Sequence, residues 1–87
     1  MVSSVWAEVI KGKLEKVNIK EHEAVVNGVT FKLARDVSVS REDESKRDHN
    51  LLARDLPQYI GYKVYCRGRE DNKKSFIADF IRVYTYK

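Results

Sequence analysis

Residues 24–33 read AVVNGVTFKL. An Asn-Gly pair between two alternating apolar runs is the strongest short-range hairpin signal, because both turn positions must accept positive φ. Val29, Phe31 and Leu33 point one way, Thr30 and Lys32 the other. That period of two is the mark of a half-buried strand. Upstream, residues 5–17 (VWAEVIKGKLEKV) also alternate: Ile10, Gly12 and Leu14 against Lys11, Lys13 and Glu15. At about 3.3 Å per residue such a strand spans roughly 43 Å. A small domain is narrower than that, so the strand must bend, and Gly12 is where bending is cheapest. The polar residues 18–23 (NIKEHE) form the connecting loop.

Downstream of the hairpin, Val37 and Val39 extend the strand or begin a short edge. Residues 40–50 (SREDESKRDHN) contain no apolar side chain. Glu42–Lys46 and Asp43–Arg47 have helical i,i+4 spacing, worth about 0.2–0.5 kcal/mol each. Leu51, Leu52, Ala53 and Leu56 then supply an apolar patch. With Asp48 as cap and Pro57 as stop, the pattern predicts a helix over 47–55. The charged residues before it, at about 40–47, are its frayed first turns or a mobile segment.

Tyr62 to Arg67 alternate again as a strand, residues 68–74 (GREDNKK) make a polar turn, and residues 75–86 (SFIADFIRVYTY) form the last strand. Ala78, Ile81 and Val83 share a face of that strand only if a bulge falls near Asp79-Phe80. Five strands are thus expected near 5–17, 23–27, 29–39, 62–68 and 75–85. Leu14, Phe31, Val64 and Ile81 belong to the expected core.

The chain has 87 residues, one domain's worth, with 43% hydrophobic and 34% charged side chains. The charged fraction exceeds the roughly 25% of an average soluble domain. No apolar run approaches the ~20 residues of a membrane span, and residues 1–10 lack a signal-peptide pattern. The single cysteine, Cys66, excludes an internal disulfide. A reduced, cytoplasmic setting is expected. Residues 1–34 carry a net +1, residues 35–55 a net −1 and residues 56–87 a net +4, the whole excess of the chain. A pI near 9.3 is compatible with a polyanionic partner.

A long bent strand, a hairpin, a helix and a second hairpin follow the plan of the OB-fold, a mainly β, five-stranded partly open barrel with one helix between strands three and four. Residues 5–86 resemble OB-fold (oligonucleotide/oligosaccharide-binding) domains in detail. Ile10-Lys11-Gly12-Lys13-Leu14 is similar to their glycine-centred first strand. Ile60-Gly61-Tyr62-Lys63-Val64-Tyr65-Cys66-Arg67-Gly68 resembles their iGxxVxvxG start of strand four, and residues 76–83 their closing strand. The resemblance implies binding across strands two and three and the adjoining loops, which here means Thr30, Lys32, residues 18–23 and residues 68–74. The fold hosts nucleic-acid, sugar and protein binders and decides among none of them.

The sharpest functional signal is cationic and aromatic residues mixed on outward strand positions. With Val64 and Cys66 facing the core, Lys63, Tyr65 and Arg67 face out. Arg69, Lys73 and Lys74 lie in the adjoining turn, and Arg82, Tyr84 and Tyr86 share a face of the last strand. Single-stranded nucleic acid, DNA or RNA, is bound by this mix, cations tracking phosphates and aromatic planes stacking bases. Low sequence specificity is expected. Trp6 either stacks a base or packs at the barrel edge.

A solvated strand wall accounts for the same residues without a ligand. A protein-docking or self-association surface accounts for the aromatics without the cations. His22, His49 and Cys66 have no metal-ligand spacing. No phosphate loop or nucleophile motif is present, so neither catalysis nor a cofactor is expected.

Overall fold

The structure is a computed structural model that describes residues 7–70 and 76–85. Six strands follow in chain order: β1 (Ala7–Asn18), β2 (Glu23–Val26), β3 (Val29–Glu42), β4 (Asp48–Leu51), β5 (Lys63–Glu70) and β6 (Phe76–Tyr84). A 3-10 helix (Ala53–Tyr59) lies between β4 and β5. The β2–β3 hairpin turns on Asn27 and Gly28, whose φ values of 53° and 79° are both positive, as the sequence demands.

β1 supplies two walls because it changes partner. Its residues 7–13 pair with β5, and residues 14–18 pair with β2, with a register shift between Leu14 and Lys16. Gly12 lies just before that change. A Cβ there would come within 2.8 Å of the Asn27 side chain at the β2–β3 turn.

β3 completes the ring, antiparallel to β2 along one edge and parallel to β6 along the other. The result is a closed five-stranded barrel, β1-β2-β3-β6-β5, with β4 added outside it on β3. The sequence anticipates a partly open barrel. The ring here is closed, with β3–β6 pairing interrupted between Leu33 and Ser38.

The four expected core residues, Leu14, Phe31, Val64 and Ile81, are all 2% exposed or less. The bulge falls where the alternation of the last strand fails. Arg67 pairs with Phe80 but Gly68 with Ala78, so Asp79 is the extra residue and Ala78, Ile81 and Val83 all reach the core. Val29 departs from the expected inward set. It is 41% exposed, at the mouth of the hairpin, while Phe31 and Leu33 are buried.

The expected helix over 47–55 is displaced. β3 runs on to Glu42, residues 43–47 turn, and residues 48–51 return as β4. The cause is Asp43. Its Oδ1 accepts hydrogen bonds from the backbone N–H groups of Ser45 (2.9 Å) and Arg47 (3.0 Å) and from the Ser45 hydroxyl (2.7 Å). A side chain that takes up local backbone donors competes with a helix, and the i,i+4 ion pairs are too weak to prevent it.

The helix forms later and tighter. Ala53, Leu56 and Tyr59 all pack on the core, a spacing of three that matches a 3-10 turn rather than an α-helix. Pro57 lies inside this helix instead of ending it. Leu56, fully buried, plugs the barrel. Among the described residues no helix is long and apolar enough to cross a membrane.

Candidate nucleic-acid interface

Burial of Val64 and Cys66 on β5, and of Ile81 and Val83 on β6, turns the alternate residues of both strands outward. Registry with β1 then assembles three rows on one wall. Val9, Arg67 and Phe80 form the first, Lys11, Tyr65 and Arg82 the second, and Lys13, Lys63 and Tyr84 the third. Rows two residues apart lie about 6.6 Å from one another, and strands about 4.8 Å apart. Cys66 stands behind this wall, where burial pushes its thiol up to about 12. It is a packing residue rather than a nucleophile.

The cations of the wall divide into two groups. Arg67 and Arg82 are occupied. Arg67 lies 4.0 Å from Asp79, and Arg82 lies 3.3 Å from Asp48 and 3.8 Å from Glu42. Both guanidinium groups also sit 5.4 Å from the centre of the Phe80 ring, which in turn meets Tyr65 edge-on at 6.1 Å.

The lysines are open. Lys11, Lys13 and Lys63 are exposed and make no ion pair among the described residues. Lys11 reaches over Tyr65, 5.9 Å from its ring centre. Lys13 and Lys63 are directly opposed across the β1–β5 pair, and like charges directly opposite on a sheet are destabilising.

These lysines border two open grooves that meet at Lys63 and Tyr84. The larger, about 950 Å³, runs past Lys13, Ile60, Tyr62 and Thr85. The smaller, about 510 Å³, runs past Lys11 and Tyr65. Ile60 and Tyr62 are 48% and 43% exposed.

The structure therefore brings together Lys63, Tyr65, Arg67, Arg82 and Tyr84 from the expected set. Arg69 is exposed at the upper end of the same wall, opposite Ile77. Lys32 stands apart. It is in register with Ile77 on one side and directly opposite Glu23 on the other. The set that the family resemblance implies mixes its charges, Lys20, Lys32 and Arg69 standing with Glu21, Glu23 and Glu70, and its residues 71–74 lie outside the described residues. Lys73, Lys74, Tyr86 and Trp6 lie outside the described residues.

Sequence reasoning missed Lys11, Lys13 and Phe80 as members of this surface. The alternation of residues 10–15 placed both lysines on a solvated face, but not beside Lys63 and Tyr65. That neighbourhood follows from β1 pairing with β5. His49 Nε2 lies 2.8 Å from Asp43 Oδ2, and this contact, with those of Ser45 and Arg47, holds the Asp43 carboxyl well below the usual carboxylate range. His22 takes a left-handed backbone conformation in the β1–β2 turn, with φ of 52°. No protein-family model, curated protein or solved structure matches this chain.

Proposed function

We propose that this barrel is an OB-fold domain working as a binding module rather than an enzyme. Its ligand is single-stranded nucleic acid, held with little sequence preference along the β1–β5–β6 wall. The observation that carries the reading is the opposed pair Lys13–Lys63. It is joined by Lys11 and set in grooves lined by Tyr65 and Tyr84. Two cations facing each other with no anion between them cost stability, and a phosphate backbone relieves that repulsion. The tyrosines beside them offer stacking planes worth about 1–3 kcal/mol per base.

Fluorescence anisotropy of a labelled single-stranded oligonucleotide at 50 and 150 mM salt tests the proposal. Three lysine contacts give a log–log salt slope near −2, at about 0.7 per phosphate. Replacing Lys13 and Lys63 together by Gln should flatten the slope by about 1.4. The same change should leave the melting temperature equal or higher, because repulsion is removed. Tyr65→Ala should weaken binding and leave the slope unchanged. Absence of binding by the wild-type protein at 50 mM salt overturns the proposal.

A second reading rests on exposed Ile60 and Tyr62 in the larger groove. Apolar side chains there suit a protein partner or a second copy of the chain. In that case Tyr62→Ala abolishes association and the lysine changes do not.

A further inference from the structure

We infer that the β3–β4 hairpin is an acidic strap that holds Arg82 out of the phosphate track. This rests on the wall being the nucleic-acid site. Arg82 occupies the same row as Lys11 and Tyr65, so its position favours a phosphate contact. Its partners oppose one. Asp48 Oδ2 lies 3.3 Å from Nη2 and Glu42 Oε1 lies 3.8 Å from Nη1, and both carboxylates belong to the hairpin.

The hairpin is built to hold its place without a ligand. Asp43 gathers the turn through Ser45, Arg47 and His49. The Glu42 carbonyl accepts hydrogen bonds from the Thr85 backbone N–H at 3.1 Å and the Thr85 hydroxyl at 2.9 Å, tying the end of β3 to the end of β6. The carboxylates are thereby preorganised against the guanidinium, and little ordering entropy is lost in keeping them there. The side chains of Arg82 and Asp48 are 32% and 52% exposed. Glu42 is more sheltered, at 14%, whereas the open Asp48 pair is weak, so Asp48 is the acid that yields first and the strap sets the affinity of the track without sealing it.

The strap therefore tunes the site. It confines phosphate binding to the lysine half of the wall and keeps affinity moderate. A charge change on the hairpin would lengthen the track by one cation.

A double-mutant cycle in the same anisotropy assay tests this, using wild type, Asp48→Asn, Arg82→Gln and the double variant, each checked for an unchanged β-sheet spectrum. Asp48→Asn should bind about two- to five-fold tighter, the range an exposed pair supplies. Its salt slope should steepen by about 0.7, one added phosphate contact. Arg82→Gln alone should leave the slope unchanged, and in the Asp48→Asn background it should erase the gain. A gain that survives Arg82→Gln is a long-range charge effect and overturns the strap. So does a slope left unchanged when Asp48→Asn and Glu42→Gln are combined.

If Asp48→Asn fails to fold, Glu42→Gln takes its place in the cycle with the same expectations. Wild type that binds with no response to either acid change refutes the strap alone. Failure of all variants to bind refutes the strap and the nucleic-acid site together.

Discussion

Gly68→Ala separates two opposite forecasts. Glycine weakens a strand interior by about 0.5–1 kcal/mol relative to alanine, so on propensity alone the substitution stabilises. The packing around Gly68 reverses the sign. A Cβ there would run into the Ile77 carbonyl oxygen and stand 2.8 Å from the Ala78 Cα, inside the 3.0 Å that real Cβ contacts respect. The obstacles are backbone atoms of β6, so relief requires β5 and β6 to part beside the Asp79 bulge. Overpacking of this kind costs about 1–3 kcal/mol. Two weakened ladder hydrogen bonds add about 1 kcal/mol each.

After the propensity gain, the net loss is about 2–4 kcal/mol, a large share of the 5–15 kcal/mol that holds an ordinary domain. For a domain of this size the melting temperature should fall by roughly 8–32 °C, at about 4–8 °C per kcal/mol. Thermal unfolding followed by circular dichroism reads the shift. Gly28→Ala is the control. Its Cβ would meet nothing within 4 Å, but φ is 79°, so it should lose only the ~1–2 kcal/mol of left-handed strain. A Gly68→Ala protein melting at or above wild type would show that the close approach of β5 to β6 does not govern this position.

Leu14→Ala removes a side chain that is 1% exposed at the point where β1 changes partner. It should cost about 2–5 kcal/mol in urea unfolding, and unchanged stability would mean that the face of β1 is misassigned. Burial lifts the Cys66 thiol from 9.0 to about 12, so the folded state retains a proton that the unfolded state releases. The stability it contributes is complete below pH 9.0 and is lost as pH rises toward 12. Wild type should lose more unfolding free energy than Cys66→Ala over that interval, and parallel curves would contradict the assignment.

Periodicity was enough for whatever depends on residues close together in the chain. The Asn27-Gly28 turn, the inward faces of Leu14, Phe31, Val64 and Ile81, and the bulge at Asp79 all follow from alternation and from side chains that accept positive φ. The course of residues 40–59 did not follow. Asp43 could pair with Arg47 on a helix or bind the turn amides, and the two outcomes differ by little in local energy. Packing of Leu51, Ala53, Leu56 and Tyr59 on the core decides between them. The β1–β5–β6 wall was half legible. Alternation placed Lys63, Tyr65 and Arg67 outside, yet the same period cannot say which strand lies beside them. Registry alone sets Lys13 against Lys63 and Lys11 against Tyr65, and the fold of the β3–β4 hairpin alone brings Asp48 to Arg82 across 34 positions of chain. Partners so distant in sequence leave no periodic trace, because their contact follows from barrel closure rather than from the local conformation of either segment.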